Sequence, residues 1–194
     1  MNAEELIRTK FHTKRGDNLP FTCWIETSRQ QLAELFSELG YKLGAEIGVR
    51  QGLNSEALLK TIPGLKLICV DPWTPYARVN QGRQDSFYRH ALGRLSGLNA
   101  EIKRMTSMEA VKEVADGSLD FVYIDGLHTF DDVIMDLIEW SKKVRVGGIV
   151  SGHDYYNFYQ GGVILAVDAF TRAHNIQQWY ITREIYPSFF WVKQ

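Results

Sequence analysis

Apolar runs of strand length alternate with helical hydrophobic periods along most of the chain. The runs are LGAEIGV (43–49), LKLICVD (65–71), AEIKRM (100–105), LDFVYID (119–125) and GGIVSGHD (147–154). Between them the spacing predicts helices over 54–61, closed by Pro63 and Gly64; 84–96, closed by Gly97; 108–115, closed by Gly117; and 130–143. The last of these places Phe130, Val133, Ile134, Leu137 and Ile138 on one face. Near-continuous hydrophobic strands separated by helices indicate a parallel sheet covered on both faces. A further helix over 161–174 precedes QQWYIT (177–182) and SFFWVK (188–193), two aromatic runs that turn around Pro187 and predict an antiparallel C-terminal hairpin at the sheet edge. Upstream, Ser28 and Gln31 have capping-box spacing, and Leu32, Leu35, Phe36 and Leu39 follow at i, i+3, i+4 and i+7. The expected fold is therefore α/β and doubly wound, with a mostly parallel seven-stranded sheet over 41–194. Residues 1–40 form an N-terminal helical extension, a lid or an oligomer contact.

Composition narrows the class. The chain has 194 residues, 45% hydrophobic and 23% charged, which suits one globular domain. Lys plus Arg number 22 and Asp plus Glu 23, a net charge of −1, so no general attraction to nucleic acid or anionic lipid is expected. The first residues include acids and no apolar signal region, and no long uncharged apolar stretch follows, so neither export nor a membrane span is expected. Cys23 and Cys69 are too far apart for a CxxC pattern, and a reduced, cytoplasmic setting is expected.

In an open parallel sheet, ligands sit beyond the carboxyl ends of the strands, where strand order reverses. The first such end reads Glu46-Ile47-Gly48-Val49-Arg50-Gln51-Gly52, with Asn54 at the following helix start. Gly48 and Gly52 allow a tight turn and a close backbone approach, and the helix N-terminus favours an anionic group. The pair is also what any strand-to-helix turn uses. The dinucleotide fingerprint G-x-G-x-x-G is absent, because Arg50 stands where its second glycine would fall. Asp71, ending the second run, suits ribose hydroxyls or a plain turn; Trp73 suits a stacked purine or a loop anchor. Ser107 and Met108 follow the third run, where Ser107 reads equally as a helix cap. Asp125 and His128 end the fourth run, and His153 and Asp154 the fifth. Two carboxylates on neighbouring strand ends, each beside a histidine, suit a divalent cation.

With these residues in place, the chain resembles the class I S-adenosylmethionine-dependent methyltransferases, whose fold is Rossmann-like. More narrowly, FVYIDGLHTFDDVIMDLIEWSKKVRVGGIVSGHDY resembles the branch of macrocin-type O-methyltransferases and cephalosporin-hydroxylase-like proteins, over roughly 43–156. The resemblance implies that S-adenosylmethionine is the cosubstrate. It places Glu46, Gly48 and Gly52 in the methionine-side loop, Asn54 near the methionine carboxylate, Asp71 on the ribose, and Trp73, Ser107 and Met108 beside the adenosine. It implies that Asp125 faces both the methionine amine and a metal, Mg or Mn, with His153 and Asp154 as the paired ligands of catechol O-methyltransferase-like enzymes. His128 falls where such enzymes carry their catalytic base. One departure is the imidazole of His153, which suits Mn, Fe or Zn better than Mg.

The implied reaction is metal-assisted transfer of the sulfonium methyl to the hydroxyl of a small molecule. The acceptor pocket is expected from 155–159, from 73–78 and from the N-terminal extension. Aromatic loop clusters of this kind line clefts or form homo-oligomer contacts, and both readings stand. The competing readings are an NAD-dependent oxidoreductase and a non-catalytic cosubstrate-binding protein.

Overall fold

The computed structural model describes residues 2–13, 21–22, 27–77, 79–157 and 161–194. Cys23, Arg78, Phe158 and Tyr159, all part of the sequence reading, lie outside the described residues. The elements run α1 (Ala3–Phe11), β1 (Phe21–Thr22), α2 (Arg29–Glu38), β2 (Leu43–Ile47), α3 (Leu53–Thr61), β3 (Lys66–Val70), α4 (Gln81–Leu95), β4 (Ala100–Lys103) and α5 (Ser107–Ala110). After a 3-10 turn at Val111–Glu113 come β5 (Leu119–Ile124), α6 (Phe130–Lys143), β6 (Val144–Gly152), α7 (Gly162–Ala173), β7 (Tyr180–Ile181) and β8 (Phe189–Val192).

The sheet order is β1-β7-β8-β6-β5-β2-β3-β4. β2 to β6 are mutually parallel, β8 is antiparallel to both β6 and β7, and β1 pairs parallel with β7. Both predicted hairpin strands are present, and the seven expected strands gain an eighth, the short β1 supplied by the N-terminal segment. Alternation along each strand feeds two cores. Leu67, Cys69, Phe121 and Tyr123 face a cluster built with α1, α2, α3 and α4, while Ile68, Val70, Val122 and Ile124 face one built with α6 and α7. The sheet is thus doubly wound, with the order reversing at the β2/β5 junction.

Several boundaries differ from the periodicity. α4 begins at Gln81 because Asn80 caps it, its side chain accepting from the Arg83 amide. The expected helix over 108–115 tightens into a 3-10 turn and ends in extended backbone at Val114. β6 begins at Val144, opposite Leu119, and an irregularity before Ile149 restores register. α1 carries its own capping box, Asn2 with Glu5, and buries Ala3, Ile7 and Phe11. Phe11 packs edge-on to Phe190 of β8, and the Tyr180 hydroxyl of β7 donates to Glu4 at 2.6 Å. At the far edge, β4 is covered by charge: Lys103 meets Glu101 and Glu113, and Lys66 meets Glu101. No helix among the described residues is long and apolar enough to cross a membrane.

Candidate active site

A cavity of about 770 Å³ opens at the carboxyl ends of the parallel strands, over the β2/β5 junction. Parallel pairing brings its floor together. The Gly48 amide donates to the Val70 carbonyl, the Asp125 amide to that of Ile47, and the His153 amide to that of Ile124. Gly48 has φ +93°, and a Cβ there would stand 2.0 Å from the Asp125 carbonyl oxygen. Only glycine permits that approach.

Glu46 lies under this turn and is fully buried, receiving the Ser55 hydroxyl and the Asn54 amide. Burial outweighs those donors and pushes its carboxyl up to about 7. Asn54 therefore spends a donor on Glu46, although it also lines the cavity. Asp71 lines the cavity too, and its Oδ2 accepts from the amides of Val49 (3.1 Å) and Arg50 (2.8 Å) while Oδ1 accepts from that of Trp73 (2.7 Å). Burial raises its pKa against those three donors. The carboxylate ties the β2–α3 turn to the end of β3.

Two of the expected cosubstrate residues stand outside the cavity lining. Trp73 does not flank the cavity; it is fully buried, its indole donates to the Arg50 carbonyl at 2.8 Å, and its ring packs on Tyr88. It braces the turn from behind. Gly52 is also outside the cavity lining, as the left-handed cap of α3, where a Cβ would press on Ala91 of α4 at 3.4 Å. Ser107 and Met108 do line the cavity. Ser107 is not the helix cap, a role held by Thr106 with Glu109. Its hydroxyl accepts from the Trp140 indole at 2.7 Å and donates to buried Asp136. Burial pushes Asp136 up to about 6.

The strand-end acids and histidines converge as one cluster. His128 Nε2 lies 3.0 Å from Asp154 Oδ2 and 3.9 Å from Asp125 Oδ1, and His153 Nδ1 lies 3.1 Å from Asp154 Oδ1 and 3.7 Å from Asp125 Oδ1. Asp154 reaches inward from a left-handed backbone position, φ +57°. Burial alone would lower His128, but the Asp125 and Asp154 carboxylates outweigh it and hold the imidazole up to about 9. Burial would raise Asp154, and the two imidazoles instead hold it far below the usual carboxylate range. His128 does not cap α6, since Thr129 does. Ligand atoms of Asp125, His128 and Asp154 all lie within 4.8 Å of one another, a donor set fit for a divalent cation. The sequence reading missed Arg29, which reaches the cavity from α2, and Asp136 and Met135, which reach it from α6. Helical spacing marks those α6 positions only as the margin of an apolar face.

The family described as "Methyltransferase domain" matches residues 45–155. No curated protein matches the chain. Among solved structures, the chain is similar to the O-methyltransferase from Bacillus cereus in complex with SAH, at 14% identity and TM-score 0.64, covering 98% of this chain and 90% of that one. It is similar to the O-methyltransferase TomG from Streptomyces achromogenes, in complex with SAM, at 14% identity and TM-score 0.63, covering 100% and 97%. Spermidine synthase from Thermotoga maritima is similar at 17% identity and TM-score 0.60, covering 86% of this chain and 59% of that one. At these identities the likeness is one of fold.

Proposed function

The chain belongs to the methyltransferase-domain family, and on that premise we propose that it moves the methyl group of S-adenosylmethionine to a hydroxyl of a small molecule, with a divalent cation at the strand-end cluster. The observation that carries this reading is the meeting of Asp125, His128, His153 and Asp154 at the switch point of the sheet, beside a turn that only glycine can make. The cavity volume suits a nucleoside-sized ligand with room for an acceptor. The fingerprint needed for a dinucleotide is missing at Arg50, which disfavours the oxidoreductase reading.

S-adenosylmethionine supplies an electrophilic methyl. The protein's part is to hold an acceptor oxygen in line with it, which contributes several kcal/mol by orientation alone. Gly48 lets the methionine side of the cosubstrate lie against the turn. Asp71 takes a ribose hydroxyl with the acceptor capacity that three backbone donors leave over. Backbone and thioether groups at Ser107 and Met108 border the base. Asp125, His128 and Asp154 would hold the cation, with His153 against Asp154; when bound, the metal lowers the pKa of the acceptor hydroxyl and orients it. Because Asp125 and Asp154 hold the His128 imidazole up to about 9, its Nε2 would accept a proton near neutral pH only when a cation occupies those carboxylates.

Titration calorimetry with S-adenosylhomocysteine, NAD and manganese is the direct test. The expected result is micromolar binding of S-adenosylhomocysteine and of manganese, and none of NAD. Asp154→Ala should abolish manganese binding while S-adenosylhomocysteine affinity stays within about twofold, because Asp154 is placed on the metal rather than the cosubstrate. Tight NAD binding without S-adenosylhomocysteine binding would overturn the reading.

A further inference from the structure

We propose that Arg29, from the N-terminal helix α2, is the carboxylate anchor of the site: it recognises the α-carboxylate of the cosubstrate's amino-acid head group and makes the enzyme selective for ligands that carry one. This deepens the proposed function and rests on it. Arg29 Nη1 stands 3.7 Å from Asp125 Oδ2, an ionic contact longer than a hydrogen bond. Arg29 makes no hydrogen bond to a described residue, so its planar donor fork is available to a ligand. The other arginine lining the cavity, Arg50, is turned onto the Phe87 ring, 5.1 Å from its centroid. Asn54, the alternative donor for a carboxylate, already serves Glu46.

The placement is fixed rather than incidental. Arg29 is the first residue of α2, held by the Ser28–Gln31 capping box, and Leu32, Leu35 and Phe36 root the helix in the core. A cation at a helix N-terminus opposes the helix dipole, and the first turn of α2 holds no acid. An incoming carboxylate would satisfy both the guanidinium and the helix terminus. Directly beside it, Asp125 offers the opposite charge for an ammonium. A cation and an anion 3.7 Å apart at the rim of one cavity match the two ends of a single α-amino-acid group.

The test compares two probes on the parent chain and on Arg29→Ala: S-adenosylhomocysteine, which has the amino-acid head group, and 5′-methylthioadenosine, which lacks it. Arg29→Ala is expected to weaken S-adenosylhomocysteine about 10- to 100-fold, the range for a charge-assisted bidentate contact, and to change 5′-methylthioadenosine less than about twofold. Arg29→Lys should recover only part of the loss, since an ammonium lacks the fork. Equal weakening of both probes would mark Arg29 as merely structural and overturn the inference. Unchanged S-adenosylhomocysteine affinity would overturn it as well, leaving the proposed function standing. If the parent chain bound neither probe, the proposed function itself would fall and take this inference with it.

Discussion

At Gly48 the backbone has no alternative side chain. A methyl group would meet the Asp125 carbonyl at 2.0 Å, and φ +93° is itself a glycine conformation. Gly48→Ala should therefore cost more than about 3 kcal/mol in urea unfolding and remove cosubstrate binding. Two residues earlier, Glu46 stores a pH dependence. Its folded pKa is raised to about 7 from an ordinary 4.5. The folded chain therefore holds its proton where the unfolded chain has released it, and stability falls as pH rises from about 4.5 to 7. At 1.36 kcal/mol per unit this amounts to about 3 kcal/mol. Glu46→Gln should match the parent at pH 4.5 and exceed it by that order at pH 8; equal denaturation midpoints at both pH values would contradict the assignment. Gly48 and Asp71 were legible as strand-end residues in the sequence. The inward or outward choice of Trp73 was not, because an aromatic after a strand fits a stack or a brace equally well, and the Arg50 carbonyl decides it.

Among the elements, α6 shows why helix existence is easier to read than its surroundings. Its apolar period is plain in the sequence and its bounds match the expectation, Phe130–Lys143. What closes it is remote: the Lys193 ammonium, one residue past β8, donates to the carbonyls of Ser141 (2.8 Å), Lys142 (3.3 Å) and Val144 (2.6 Å). Lys193→Met should lower stability by about 1 to 2 kcal/mol by taking the ammonium from the Ser141 and Val144 carbonyls, while the Lys142 carbonyl keeps the Gly117 amide, without changing ligand affinity, as a thermal melt paired with calorimetry would record. No local pattern announces a contact that far along the chain. α1 is the converse case. Asn2-x-x-Glu5 and the spacing of Ala3, Ile7 and Phe11 are visible signals, but a helix this short gains most of its stability from the core it meets. The 3-10 turn after α5 is likewise tertiary in origin, since Ser107 is anchored to Trp140 and Asp136 of α6.

For the molecule as a whole, the mostly parallel sheet covered on both faces and the strand ends as the place to look for a site were readable, because parallel strands need apolar runs, whereas the order of the strands comes from the structure. The N-terminal segment was legible as a helix and not as part of the fold. Ile7, Phe11, Leu32, Leu35 and Phe36 are almost fully buried in the same cluster as Phe121 and Phe190. Phe11→Ala should therefore destabilise the entire chain by about 3 kcal/mol in a single transition, although Phe11 lies outside the cavity lining. Separate melting of two units would argue against that. The parallel pairing of β1 with β7, the Tyr180–Glu4 hydrogen bond and the Phe11–Phe190 contact join α1 and β1 to strands made about 170 residues later. During translation, then, α1 can pack on α2 early but lacks the Phe190 side of its cluster until β8 has left the ribosome, so a nascent chain stalled short of β7 should leave α1 more open to protease or chaperone, and its release should be the moment this edge of the sheet locks.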